Sequence, residues 1–471
     1  MYQLITFQPK TSSTRNSISR SSRHGGTVSI HPFTVWVLAQ IIMAELTLGQ
    51  TLTHGPVVGG VTEQTANVFV RTDNVATVAL RYGTDPNLGT YLTSPPFETS
   101  SESDFTKIIP IANLTGENTY YMSVLVNDMP YPASSPFPSF RTFPPNDGTS
   151  RTFNFVVLTD FLTTFNRELQ DVQTFASAAA VSPAPAFAFI GGDFDHRNPY
   201  SVEEKRQMFK ALYNANPLGH MEDFVTKILQ KMPIIHQWDD HDAGENNLNK
   251  NYPHWDWSQQ VFQEYVPSYP LPPVTPAGIW QKFSYAQADF FVLDCRSQRD
   301  PNTDPPQERS MLDGRDFGPS GQLHWLKNGL RTSTAQWKII FTSVITNRTT
   351  KRADAWGAYQ VEWRALRDFI KRSNIQGVVF ISGDLHLGAI DDGTHNGFDR
   401  SPGFPEMCVA QPNSRQDPPD CASSGDTGEW TPGYYNDTCR GFGLVKVEPD
   451  QLTLQVADEF GNIQLSYTVL P

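Results

Sequence analysis

Two rhythms of apolar residues divide the chain. From about Thr53 to the turn-rich stretch Pro144-Pro-Asn-Asp-Gly-Thr149, short runs at 67–71, 77–82 and 120–126 alternate apolar with polar positions, separated by clusters of Gly, Pro, Asn and Asp. Short alternating strands at that spacing predict a β-sandwich of roughly 100 residues. Beyond residue 149 the runs become continuous, at 153–160, 187–193, 233–240, 290–294 and 378–384, and each reads as a buried strand that stops on an aspartate: Asp160, Asp193, Asp240, Asp294 and Asp384. Helical periodicity at 167–180, 202–215, 222–231, 322–330 and 360–372 separates them, which predicts an α/β layer architecture. After a Pro/Gly-rich stretch at 400–434, the runs 442–447, 452–456 and 463–469 read as a closing antiparallel meander.

In α/β sheets ligands bind beyond the carboxyl ends of the strands, so several of these aspartates are expected to meet in one pocket. Carboxylates gathered out of water repel one another and take up protons unless something cationic neutralises them. A bound metal cluster is the economical expectation. Three segments carry the candidate chemistry. Gly191-Gly-Asp-Phe-Asp-His196 sets Asp193, Asp195 and His196 just after a strand; Trp238-Asp-Asp-His-Asp242, followed by Gly244 and Asn246-Asn247, crowds carboxylates around His241. Ser382-Gly-Asp-Leu-His386 puts Asp384 and His386 two apart, on one side of an extended backbone. Arg296 and Arg299 follow the strand that ends on Asp294; their fork geometry suits phosphate oxygens and equally a ladder of ion pairs. Asp294 has a competing reading as the cap of its own turn. Asp242 and Glu245 read as solvated or supporting charges rather than ligands, His236 as a core histidine, and Trp255 and Trp257 as packing.

Charge changes the picture at the N-terminus. The first 44 residues carry Lys10, Arg15, Arg20 and Arg23 and no acid, which leaves 32 basic and 49 acidic residues, a net −17, for the rest of a chain whose total is −13. The Ser/Arg-rich opening and the apolar segment 33–44 resemble a secretory signal over residues 1–50, with an organellar transit peptide as the alternative; the apolar segment is too short to span a bilayer. An acidic protein is a poor partner for nucleic acid or an anionic membrane. Sequons at Asn113, Asn347 and Asn436 fit secretion. Of four cysteines, Cys408, Cys421 and Cys439 fall late in the chain, where one bridge would pin a long loop, and Cys295 stands apart; the pairing is open.

These residues, in this order, resemble the PhoD-type alkaline phosphatases, a branch of the calcineurin-like metallophosphoesterases. The likeness is collinear from His54-Gly-Pro-Val-Val-Gly-Gly-Val61 through Gly192-Asp193, Trp238 to Asn247, Leu293 to Arg299, Met311-Leu312 with Gln322 and Trp325-Leu326, to Ser382 to His386. It implies a metallophosphoesterase-like αββα sandwich of mixed sheets over residues 149–471, preceded by a small fibronectin III-like β-sandwich over 51–148. It also implies two or more metal ions held by Asp160, Asp193, Asp240, Asp384 and His386, with Asp193 bridging and Asn247 as an outer ligand. His241 would be the general acid, and Arg296 and Arg299 would clamp phosphate oxygens. Many relatives carry a cysteine where this chain has Asp160 and a histidine where it has Leu162, and the closing Gly-His-x-His is missing. Asp195 or His196 would then supply a missing ligand. The oxygen-rich set favours Ca and/or Fe, with Mn or Mg next and Zn less suited. The expected activity is hydrolysis of phosphomonoesters or phosphodiesters, with phospholipid headgroups or nucleotides among possible substrates. The alternative is a secreted, Ca-binding structural or glycan-binding protein without catalysis, which leaves His241 among the acids unexplained.

Overall fold

Phe155 and Val157 on the strand Phe153–Leu158 face one hydrophobic core, and the intervening Val156 and Leu158 face another. A strand buried on both sides needs the continuous apolar run seen in the sequence, because both of its faces are covered. The computed structural model describes residues 50–160, 172–214, 221–273, 278–351, 353–413, 427–435 and 440–471. The leader up to residue 49, the start of the 167–180 helix, Leu162, Cys421, Asn436 and Cys439 lie outside the described residues.

Residues 50–471 form one unit, a mixed α/β fold with several sheets. A nine-stranded sheet runs in the order Ile463–Val469, Leu452–Asp458, Gly441–Val447, Phe153–Leu158, Ala188–Ile190, Ile234–His236, Leu52–Gly59, Ala66–Thr72, Thr106–Ile111. A seven-stranded sheet runs Gln281–Tyr285, Ala288–Val292, Trp337–Phe341, Val378–Ser382, Glu406–Cys408, Gly388–Asp391, Pro432–Tyr435. A third sheet is built on Thr77–Gly83 and Thr119–Val126. The strands at 153, 188 and 234 are parallel in the first sheet, and those at 288, 337, 378 and 406 are parallel in the second. Their carboxyl ends therefore deliver their loops to one edge of each sheet.

Aromatic rings fill the space between the two large sheets. Phe189 stacks on Phe341 with centroids 3.5 Å apart, and Phe155 meets Phe187, Phe290 and Phe341. The helices Val202–Leu212 and Trp255–Tyr265 pack on the other face of the first sheet, and Gln322–Thr332 and Gln360–Arg372 on the other face of the second. The helix at 255–265, with Trp255, Val261, Phe262 and Tyr265 turned inward, is absent from the helices that the periodicity predicts, while Trp255 packs as expected. Leu52–Gly59 pairs with Ile234–His236, so the strands of the first region continue the sheet of the second.

Two surface expectations change. Asn347 is fully buried, with its amide donating to the Glu429 carbonyl at 2.7 Å, so this sequon cannot carry a glycan in the folded chain; Asn113 is exposed. Cys295 and Cys408 are buried free thiols. Among the described residues no helix is long and apolar enough to cross a membrane.

On the helix Gln360–Arg372, Glu362 is buried and accepts the Leu312 N–H at 3.1 Å. Burial raises its pKa from 4.5 to about 7. A carboxyl whose folded value exceeds its unfolded one favours the protonated state, so this group makes folding progressively less favourable as pH climbs from about 4.5 to about 7. Glu362→Gln should remove that contribution and flatten the fall in denaturation midpoint across this window. Parallel wild-type and variant curves would show that the carboxyl titrates normally.

Candidate metal centre

Four of the five strand-end aspartates arrive at one place. Asp160, Asp193, His196 and His386 offer ligand atoms within 4.8 Å of one another; so do Asp193, Asp240 and His241, and so do Asp193, Asp239, Asp240 and Asp384. Asp193 is common to all three groups. Asp294 is the exception: its carboxylate accepts from the Arg296 and Ser297 N–H groups, the Ser297 hydroxyl and the Trp238 indole, which makes it the cap of its turn.

The local backbone explains why these side chains converge. Asp160, Asp193, Asp384 and His386 sit at φ 58°, 49°, 65° and 58°, so the chain turns left-handed as it leaves each strand. Such positions are costly for residues with a Cβ and cluster at functional sites. Gly192, at φ +96°, lets two loops touch: a Cβ there would lie 2.6 Å from the Asp239 nitrogen. Asp242, buried rather than solvated, ties these loops together by accepting the N–H groups of Asp193, Phe194 and Asp239 at 2.7, 2.8 and 3.0 Å. Asp240 is oriented by the N–H groups of His241 at 2.8 Å and Asn247 at 2.6 Å.

The arginines do something other than clamp a substrate. Arg296 is fully buried, and its guanidinium contacts Asp239, Asp354 at 2.9 Å, and Asp240 and Asp384 at 3.3 Å each. Arg299 donates to the Leu248 carbonyl and to the carbonyl and carboxylate of Asp354. Their donors are directed at protein acceptors, so these arginines hold the carboxylates in place. Asp195 likewise turns away from the three groups into an ion pair with Arg197 at 2.6 Å. The Asn247 side chain lies against Asp354, and only its backbone reaches Asp240. His236 is buried among Phe194, Phe209 and Phe262, as a core residue should be.

Sequence reasoning missed Asp239, Lys351, Asp354, Gln411 and Asn198. Lys351 pairs with Asp384 at 2.9 Å. The Gln411 amide meets His386 Nδ1, so that Nε2 faces Asp160 Oδ1 at 3.5 Å; Asn198 Oδ1 holds Nδ1 of His241. Lys351 and Asp354 lie well beyond the end of the strand Trp337–Phe341, so the strand-end rule that found the other acids does not reach them.

Burial raises Asp160 to about 7 and pushes Asp193, Asp242 and Asp384 well above the carboxylate range; neighbouring carboxylates push Asp193 further. Burial acts the same way on Asp240 and Asp354, but the charge of Arg296, joined by Arg299 at Asp354, holds both below their ordinary value. Asp160 Oδ1 is buried and has no hydrogen-bond partner among the described residues. A shell of carboxylates and imidazoles with an orphaned oxygen and raised proton affinities fits metal ions, whose charge would replace those protons.

A family model described as PhoD-like phosphatase matches residues 192–456. Alkaline phosphatase D of Bacillus subtilis (strain 168) is 30% identical over 181 residues, covering 33% of this chain and 31% of that protein, so the match spans about a third of the relative's length. A solved structure described as PhoD superposes with a TM-score of 0.70 at 18% identity, covering 90% of this chain and 88% of that one. Purple acid phosphatase PPD1 from yellow lupin (Lupinus luteus) seeds superposes with a TM-score of 0.59 at 13% identity, covering 90% and 74%. At these identities the structures establish a shared fold.

Gly192→Ala should drive the Asp193 and Asp239 loops apart, because the contact at 2.6 Å is with backbone that cannot yield. The expected result is a folded protein whose bound metal, measured by elemental analysis, falls well below that of the wild type. Unchanged metal content would show that the close approach is dispensable.

Proposed function

Because this chain belongs to the PhoD-like phosphatase family, we propose that it is a secreted, metal-dependent phosphoesterase that hydrolyses small phosphomonoesters or phosphodiesters. The observation that carries this reading is Asp193, a buried carboxylate shared by three ligand groups each within 4.8 Å. In this reading Asp160, Asp193, His196 and His386 would hold one ion, Asp239, Asp240 and Asp384 would serve a second, and Asp193 would be available to both. Metal ions so placed would lower the pKa of a bound water and neutralise the charge that develops on the departing oxygen. The donor set is mostly oxygen, which supports Ca, Mg or Mn, with one iron, over a zinc pair.

The chain's own groups then divide the work. His241 is the general acid: Nδ1 is engaged by Asn198, which leaves Nε2 to hand a proton to the leaving alkoxide. Its backbone N–H donates to Asp193 at 3.2 Å, so the acid and the shared carboxylate move as one piece. Arg296 keeps four carboxylates from separating while the site is empty of substrate. The domain reading that goes with this function is a fibronectin III-like sandwich over 51–148 before an αββα metallophosphoesterase region over 149–471. Secretion by the 1–50 leader belongs to the same proposal.

The test is hydrolysis of p-nitrophenyl phosphate and its bis ester by the full chain. Chelation should abolish turnover and metal return should restore it; Asp193→Asn should lower kcat/KM by about 100-fold or more. His241→Asn should reduce kcat more for an alkyl ester such as glycerol phosphate, whose alkoxide needs a proton to depart, than for p-nitrophenyl phosphate, whose phenolate does not. Full activity after exhaustive chelation would overturn the proposal.

A further inference from the structure

A second concentration of charge lies on the seven-stranded sheet's helical side. Phe398 is buried, and three guanidinium groups surround its ring: Arg348 at 3.7 Å, Arg364 at 4.6 Å and Arg367 at 5.2 Å from the centroid. Like charges brought this close repel, and contact with an aromatic face returns only about 0.5–2 kcal/mol apiece. Arg367 is relieved by Asp368 at 2.6 Å and by the Phe398 carbonyl at 3.2 Å. Among the described residues the close ion pair of Arg364 is with the exposed Asp399, at 3.5 Å. Asp399 also acts on Arg348, but through space and not as a close ion pair. Among the described residues Arg348 Nε and Nη1 are shielded from solvent and meet no acceptor, a state that native proteins rarely leave uncompensated. Burial, and then the charges of Arg364 and Arg367, hold its pKa below the usual guanidinium value.

Beside the ring an open recess of about 530 Å³ is lined by Arg364, Arg372, Asp368 and Phe398, among others. We propose that Arg348 and Arg364, backed by Phe398, form an anion site for a tetrahedral phosphate-type oxyanion, built from residues that take no part in the three metal-ligand groups. Two guanidinium forks can share the oxygens of one tetrahedral anion, which a single carboxylate serves less well. The anion would supply the acceptor that Arg348 lacks and offset the repulsion among the three arginines. Its source is either free phosphate or the phosphoryl end of a larger molecule.

The site is tested by calorimetric titration of the metal-loaded full chain with inorganic phosphate and, separately, glycerol phosphate. Wild type should show one component that is weakened about 10-fold or more in Arg348→Gln/Arg364→Gln. That component should persist when a chelator removes metal, which separates it from any phosphate bound at the metal centre and from the success or failure of the phosphoesterase reading. Arg364→Glu changes a half-exposed side chain, so it guards against misfolding of the double variant; it should abolish the component while circular dichroism stays unchanged. Binding of phosphate alone would identify a free-anion site, and binding of both ligands a site for phosphoryl groups. Identical isotherms for wild type and variants, or no component that survives chelation, would overturn the proposal.

Discussion

The structure turns on one electrostatic constraint. Asp160, Asp193, Asp239, Asp240, Asp242, Asp354 and Asp384 are all buried around a common point, and three cations, Arg296, Arg299 and Lys351, are ion-paired with members of this set. Two carboxylates about 4 Å apart repel by about 4 kcal/mol at the effective dielectric of a protein site. Three cations cannot balance seven anions, so the remainder is met by protons, as the raised values of Asp160, Asp193 and Asp384 record, or by bound metal ions. Arg296 is the hub because its planar fork contacts four of the acids from one buried position. A shorter or flexible cation would not span them.

Both large sheets contribute to that point, so their mutual packing is part of the site. Asp160 and Asp193 leave strands of the nine-stranded sheet, and Asp384 and His386 leave the seven-stranded sheet. The junction is tight: a Cβ on Gly383 would stand 3.0 Å from the Thr159 Cβ, while Thr159 donates to Asp160 at 2.6 Å. Beneath it, the stacked Phe189 and Phe341 join the two sheets. Aromatic packing sets the separation of the sheets, and that separation fixes whether His386 Nε2 can face Asp160 Oδ1. Left-handed backbone at Asp160, Asp193, Asp384 and His386 then turns those side chains inward, a conformation tolerated because the surrounding hydrogen bonds over-determine it.

Much of this is legible in the sequence. Continuous apolar runs ending on aspartate marked Phe153–Leu158, Ala188–Ile190, Ile234–His236 and Val378–Ser382, because a strand covered on both faces has no polar positions to interrupt it. The same pattern was blind to what the arginines do. Arg296 and Arg299 follow a strand just as a substrate clamp would, and only the placement of Asp239 and Asp354, far apart in sequence from them, shows that their donors are already engaged. Asp195 stood two residues from a true cluster member, yet Arg197 captured it. Lys351, Asp354 and Gln411 lie in polar loops, where hydrophobic periodicity carries no information and side-chain direction is set by tertiary contacts alone.

The loop that runs from Trp337–Phe341 to Trp356–Ala358 holds Arg348 at one charged cluster, and Lys351 and Asp354 at the other. An acidic chain with a net charge of −13 would be expected to repel anions. At physiological ionic strength, however, the screening length is about 8 Å, so a distant surface charge contributes little to what an arriving phosphoryl group experiences. What matters is the local balance, and it is positive wherever arginines outnumber the carboxylates that can reach them. Around Phe398 that excess is created by the protein alone, because three arginines share two acids, Asp368 and Asp399, and among the described residues neither acid forms a close pair with Arg348. At the aspartate cluster the protein alone is left anionic, so the attraction there must be supplied by bound ions. The two clusters therefore answer the same requirement by opposite means, and only the second should lose its hold on phosphate when metals are withdrawn.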